Sequence, residues 1–319
     1  MLRSILLYLS KAPWARRIIT GWRFSRRAAS RFIAGDTLDE AIAAAQALNQ
    51  KGLLTSLDHL GEQVTNAEES TRATDAYMVL MDRICQSGVK SYASLKLSQL
   101  GLAVDFDLCL ANLRRVVARA DECGLFIRID MEDSTTVERT LRIYRALRSE
   151  GLTQVGLVIQ SYLYRSQEDL RGVLAEGTRI RLCKGAYMEP ASVAFPRKAD
   201  LDVNFDFLAK MMIDSAKAAG AEPGSANGRI PPIVGVATHD EKRIASARKY
   251  AEETSFPKMA LEFQMLNGIR SDLQLKLAKE GYPVRVYVPY GTQWYPYFMR
   301  RLAERPANVW FFLSNYLRG

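Results

Sequence analysis

From residue 37 onward the chain alternates between two hydrophobic periodicities. Eight short segments, 53–57, 92–97, 126–130, 155–160, 180–184, 233–238, 259–264 and 284–288, are mostly continuous apolar runs, the pattern of strands covered on both faces. Longer stretches with apolar residues at helical spacing occupy 105–122, 134–150, 166–175, 203–219, 240–253, 268–280 and 294–305. Two earlier helices are marked at their starts. Thr37 and Glu40 have the spacing of a capping box ahead of an Ala-rich run to Gln50, and Thr65 and Glu68 repeat it before a helix reaching about Gly88. Such alternation predicts a parallel sheet, because each crossover between parallel strands needs a helix. Eight units in roughly 250 residues is the count of a (βα)8 TIM-type barrel. An open doubly wound sheet is the structural alternative, but no GxGxxG follows any strand, so its dinucleotide-binding form has no support. The stretch 218–232, rich in Gly, Pro and Ser, precedes a strand and is predicted to be a tolerated surface loop on the face away from the chemistry. No low-complexity linker divides the chain, which reads as one barrel over 37–319 preceded by an arm over 1–36.

Charge changes the picture only at the N-terminus. Residues 1–35 hold eight basic residues and no acid, and setting them aside leaves 36 basic against 35 acidic residues in the chain. A nucleic-acid binder, basic over a whole domain, would not look like this. The segment also carries Trp14, Ile18, Ile19, Trp22, Phe24 and Phe32, so it can form amphipathic helices. Three readings stay open: an arm packed on the barrel, an arm touching anionic lipid, or a cleaved Arg-rich presequence. No apolar run approaches the ~18 residues that span a bilayer. Cys85, Cys109, Cys123 and Cys183 are far apart, and with only His59 and His239 no common zinc set can be assembled, so no metal is expected. Scattered thiols suit a cytoplasmic protein, with the arm a candidate for peripheral contact with the inner face of a membrane.

A barrel's chemistry sits at the C-terminal ends of its strands. Those ends carry Asp58, Lys96, Asp130, Gln160, then Arg181 and Lys184, then Thr238 with His239, then Gln264, and Tyr287. One polar strand end means little, since it can cap a helix or meet solvent; polar groups at all eight converge on one pocket. On the last helix Tyr297, Arg300, Arg301 and Glu304 share a face. They form either a solvated face with Arg–Glu pairs or a fork of two guanidiniums gripping a carboxylate, with Glu304 holding them. The aromatics Tyr287, Tyr290, Trp294, Tyr295 and Tyr297 suggest a small apolar ring stacked nearby.

At these residues the sequence resembles the proline dehydrogenase family in its short monofunctional bacterial form. The resemblance rests on Ser94-Leu-Lys-Leu-Ser-Gln-Leu-Gly101, Ile129-Asp-Met-Glu-Asp133, Gln160-Ser-Tyr-Leu-Tyr164, Arg181-Leu-Cys-Lys-Gly-Ala-Tyr187, Ala237-Thr-His-Asp240, Glu262-Phe-Gln-Met-Leu266, Arg285-Val-Tyr-Val-Pro-Tyr-Gly291 and Tyr297-Phe-Met-Arg-Arg-Leu-Ala-Glu304. It implies an FAD enzyme that oxidises L-proline to 1-pyrroline-5-carboxylate by hydride transfer and passes electrons to a quinone. It implies that Arg300 and Arg301, helped by Lys96, bind the proline carboxylate, and that Tyr187, Leu266, Tyr287 and Tyr297 surround the ring. Glu304 would orient the arginines, and Asp130 would position the cations. Gln160, Arg181, Lys184, Gly185, Ala186, Thr238, His239 and the Met131 backbone match positions that hold FAD, with Arg181 near the flavin N5. Two other readings are kept: another FAD barrel of the methylenetetrahydrofolate reductase type, which should lack the Arg300–Arg301 pair, and a non-catalytic membrane-surface binding protein.

Overall fold

The computed structural model describes residues 6, 8–10, 12–20, 26, 29–61 and 64–304, and within these the side chains of Pro13, Ile18 and Glu304 are left undescribed. Eight strands form the barrel: β1 (Leu54–His59), β2 (Ser91–Lys96), β3 (Ile127–Asp130), β4 (Val155–Gln160), β5 (Ile180–Cys183), β6 (Val234–Ala237), β7 (Leu261–Leu266) and β8 (Val284–Tyr290). Each pairs parallel with its sequence neighbour. β1 closes the ring on β8, from Leu54 opposite Arg285 to His59 opposite Tyr290. Closure excludes the open doubly wound sheet. Around the barrel run α2 (Leu38–Gln50), α3 (Ala67–Ser87), α4 (Phe106–Glu122), α5 (Val137–Ser149), α6 (Ser166–Ala175), α7 (Lys198–Ala218), α8 (Glu241–Glu253) and α9 (Ser271–Lys279). α1 (Pro13–Thr20) precedes them and α10 (Tyr295–Glu304) follows β8.

Two local expectations shift. Thr37 and Glu40 do form a capping box, but the second cap moves by one residue: Asn66 accepts from the Glu69 N–H, while the Thr65 backbone N–H and hydroxyl both donate to Glu69. Asn is at least as good a cap as Thr, and its neighbour then answers from outside the helix. β7 begins at Leu261, two residues later than its apolar run suggests, because Lys258–Ala260 is a 3-10 turn with Met259 exposed. A displacement of two keeps every side chain on its expected face.

The outward positions of the strands are apolar and pack under the helices, and the inward ones are largely polar. Arg128, Arg181, Glu262, Gln264 and Arg285 are all buried, and all point into the barrel. At its lower end Glu262 accepts from Arg285 Nε and Nη2, both at 2.9 Å, with side chains 0% and 1% exposed. The stretch 218–232 lies at this end as expected, yet it is not a free loop. Gly228 O accepts from Arg285 Nη2 at 3.0 Å, Pro231 O accepts from Arg179 at 2.6 Å, and Arg229 donates to Ile84 O and Cys85 O. Buried guanidiniums need carbonyl acceptors, and this segment closes the lower mouth by supplying them. Glu262→Met is expected to cost about 3–5 kcal/mol, since it strands Arg285 as an uncompensated buried charge. A urea midpoint equal to that of the parent chain would show that the pair is not needed.

Leu6, Ala15, Ala29 and Phe32 form a second apolar cluster with Trp294, Phe298, Met299 and Leu302 of the last helix. Phe32 and Phe298 lie 6.3 Å apart, and the Tyr295 hydroxyl donates to Leu9 O at 2.8 Å.

Candidate active site

The C-terminal mouth of the barrel is wired by one polar network. Arg181, leaving β5, donates from Nη1 to Asp130 Oδ1 at 2.6 Å, from Nε to Gln264 Oε1 at 2.6 Å, and from Nη2 to Tyr92 and Ser94. Asp130 also accepts from the Tyr287 hydroxyl at 2.8 Å and lies 4.0 Å from Lys96 Nζ. Lys96 in turn donates to the fully buried Asp58 at 2.8 Å and reaches the Tyr287 oxygen at 3.4 Å. Burial, then the neighbouring Asp130 and Asp58, push the Tyr287 hydroxyl well above its ordinary range, so it stays protonated and donates. Burial pulls the Arg181 guanidinium down, but Tyr92, Asp130 and Tyr287 outweigh it and hold the group above its usual value. The mouth therefore presents two fixed basic side chains, Arg181 and Lys96, each paired with a carboxylate.

A second group of predicted residues lines the adjoining strand ends. Gln160 closes β4 and donates from Nε2 to Met131 O at 3.3 Å; its Oε1 is buried with no hydrogen-bond partner among the described residues. Gly185 has φ +109°, and a Cβ there would lie 2.3 Å from the Tyr162 ring, so only glycine lets the 184–187 segment pass this close. Ala186 follows in the same loop, half-buried. Lys184 is held by Asp202 at 2.6 Å and Asp240 at 2.7 Å. Burial alone would raise the Asp240 carboxyl, but Lys184 and the Lys242 N–H bring it down to about 2. Thr238 Oγ1 accepts from the Asp240 N–H at 3.1 Å. His239 Nε2 accepts from the Leu266 N–H at 3.0 Å, which places its ring proton on Nδ1. These residues fit a flavin: an unpaired buried carbonyl suits a ring N–H, and a glycine turn beside a lysine suits a dinucleotide.

Above the mouth lies α10. Arg301 is buried, its guanidinium 4.9 Å from the centre of the Tyr297 ring. Arg300 is half-buried and close enough to Tyr187 to act on its hydroxyl, which burial and then Glu132 push up. Leu266 and Tyr287 pack against the cluster that contains Tyr297. Glu304 is in the helix, but its side chain falls outside the described residues, so the expected Arg–Glu contact does too. The aromatic platform is only partly assembled. Tyr290 turns to His59 (5.1 Å), Trp294 to Phe298 (5.8 Å) and Tyr295 to the N-terminal arm, because a strand followed by a helix distributes neighbours over different faces.

Sequence reasoning missed several partners. Asp58 and Gln264 stood at strand ends but were given no task; Tyr92, Asp202 and Asp240 were not connected to the cations they hold, nor Tyr77 to the Asp58 carboxylate it donates to. Glu132 accepts from the Ser98 N–H and hydroxyl, and Glu189 does the same for Ser134, lacing adjacent loops over the mouth. One signal was available: a buried lysine or arginine requires a partner, although the sequence does not say which.

A closed (βα)8 barrel with paired buried charges at its C-terminal mouth and two adjacent arginines on the helix above has the architecture of a barrel enzyme. Comparison with known proteins makes this specific. The proline dehydrogenase family model matches residues 41–313. The chain is 39% identical to proline dehydrogenase 1 of Bacillus subtilis over 318 residues, covering all of both chains. It is 43% identical to the proline dehydrogenase of Deinococcus radiodurans over 295 residues, 91% of this chain and 90% of that one. The crystal structure of proline utilization A from Bdellovibrio bacteriovorus, inactivated by N-propargylglycine, superposes with a TM-score of 0.78 at 25% identity, over 88% of this chain and 33% of that one. This chain thus spans about a third of that longer protein. It belongs to the proline dehydrogenase family, and that assignment displaces both the methylenetetrahydrofolate-reductase-type barrel and the non-catalytic reading.

Proposed function

We propose that this chain oxidises L-proline to 1-pyrroline-5-carboxylate with FAD as hydride acceptor and a quinone as final electron acceptor. The observation that carries the reading is the juxtaposition, at one barrel mouth, of the Arg181–Asp130–Tyr287–Lys96 network with an unpaired buried Gln160 carbonyl. Gln160, the Met131 backbone, Arg181, Lys184, Gly185, Ala186, Thr238 and His239 hold the cofactor. FAD, when bound, supplies the acceptor for the hydride on proline C5. Arg300 and Arg301 grip the carboxylate with Lys96, while Tyr187, Leu266, Tyr287 and Tyr297 wall the pyrrolidine ring and exclude water. Cations on the carboxylate and a dry pocket favour the neutral amine, which the reaction needs as the nitrogen becomes an imine. Asp130 and Glu304 hold the cations in place. Anaerobic titration of the purified holoprotein with L-proline is expected to bleach the flavin absorbance; a yellow protein that proline leaves oxidised would refute the reading.

We further propose that the basic arm touches anionic lipid, which would bring the flavin near its quinone. No described helix is long and apolar enough to cross a membrane. Trp14 is 56% exposed on α1, and Arg17 is exposed in its last turn. Each cation near such a surface contributes ~1 kcal/mol, screened within a Debye length. The chain should sediment with phosphatidylserine vesicles at low salt and release at high salt, and Trp14→Ser with Arg17→Glu should reduce the bound fraction several-fold. Equal partitioning of parent and variant would leave the arm as scaffold.

A further inference from the structure

The orientation of Arg181 is set from below by a buried chain that the reaction chemistry has not used. A guanidinium has five N–H donors. In Arg181 the Nε–H goes to Gln264, one Nη1–H to Asp130, and the two on Nη2 to Tyr92 and Ser94. Among the described residues one Nη1–H is left over. Which way the Gln264 amide faces decides whether Nε has an acceptor at all, and the structure answers by chemistry. Glu262 is fully buried, is bound to Arg285, and accepts from Gln264 Nε2 at 2.6 Å. A carboxylate so paired is an acceptor only, so the amide nitrogen must face it and the amide oxygen must face Arg181. Gln264 Nε2 also lies 3.4 Å from the Tyr92 hydroxyl. The opposite wall leaves room: a Cβ on Gly235 would lie 2.8 Å from Gln264 Nε2, so no larger residue fits there without moving the amide.

We propose that Gln264, its amide turned by Glu262, is a positioning residue that locks the Arg181 guanidinium and so aims its one uncommitted N–H at the flavin. This rests on the reading that Arg181 faces the flavin. With Gln264→Met the volume is kept and the Nε acceptor lost. Arg181 can then tilt toward Asp130, and its charge no longer stabilises the reduced flavin to the same degree.

The test is the flavin midpoint potential of the holoprotein, measured by anaerobic spectroelectrochemistry for the parent chain, Gln264→Met and Arg181→Met. Gln264→Met should bind FAD and shift the two-electron equilibrium about tenfold against reduction, which is about 30 mV. It should lower kcat about tenfold with little change in KM for proline. A role confined to packing would lower the melting temperature and leave the potential where it is. If Arg181→Met lowers the potential and Gln264→Met does not, the positioning role is wrong and the flavin-facing reading stands. If Arg181→Met leaves the potential unchanged, that reading falls and the proposal with it. Should Gln264→Met not accumulate as folded protein, Gln264→Leu removes the same acceptor and leaves the Glu262–Arg285 pair intact, and the same shift is expected; an unchanged potential there is equally decisive against the proposal.

Discussion

Arg300→Met or Arg301→Met is expected to weaken proline binding by about 2–4 kcal/mol, roughly thirty- to thousandfold, while FAD stays bound. The two side chains leave adjacent positions of α10 above the mouth, with Arg301 buried against Tyr297 and Arg300 beside Tyr187. A carboxylate gripped by both has its charge desolvated, so removing one arm strands part of that charge in a dry site. Lys96 cannot compensate, because Asp58 already binds it at 2.8 Å. In the proposed site the cofactor is held by different elements, the ends of β3 to β6 and their loops, which is why cofactor content should survive. Titration of each variant with proline, or with a carboxylate analogue that is not oxidised, reads the effect from flavin absorbance. Binding as tight as in the parent chain would move the substrate site away from α10.

Asp130→Ala is expected to cut turnover about a hundredfold and to lower the melting temperature. Among the described residues, Asp130 is the one acid that meets Arg181 and Tyr287 and also approaches Lys96. Its removal breaks a buried ion pair, at a cost of about 3–5 kcal/mol, and leaves surplus positive charge at the mouth. With both Arg181 and Tyr287 free to shift, a displacement of about 1 Å at the reacting centre is enough for a hundredfold loss. Steady-state kinetics together with flavin content separate this from loss of cofactor. Parent-like kinetics would remove Asp130 from the mechanism.

Much of this architecture was legible beforehand. Eight apolar runs separated by helical periods give the barrel, because a parallel strand covered on both faces leaves no other pattern. The sites of cations were legible too, since Lys96, Arg181 and Lys184 stand at strand ends. Their acids were not. Asp58 is four strands from the Arg181 it indirectly steadies, and Asp202 lies in α7, eighteen residues beyond the Lys184 it binds. Pairing across a closed barrel depends on register, which a periodicity does not contain. The misplaced start of β7 has a different cause: Met259 is apolar, but a 3-10 turn exposes it. The lower plug was hidden because its Gly, Pro and Ser composition describes backbone freedom and not the carbonyls that Arg179 and Arg285 require.

The N-terminal arm does not rest only on the barrel wall; α1 packs on α10, and the Tyr295 hydroxyl is tied to Leu9. The helix carrying the two arginines is thus shared between the proposed substrate pocket and the arm. Any free energy that proline invests in ordering that helix returns as tighter docking of the arm, by the same factor, because coupling between two equilibria is reciprocal. Occupancy of the pocket should then be readable at a distance, as slower hydrogen exchange around residues 12–20 when the site is saturated. Conversely, a chain trimmed at Thr37 should lose affinity for proline.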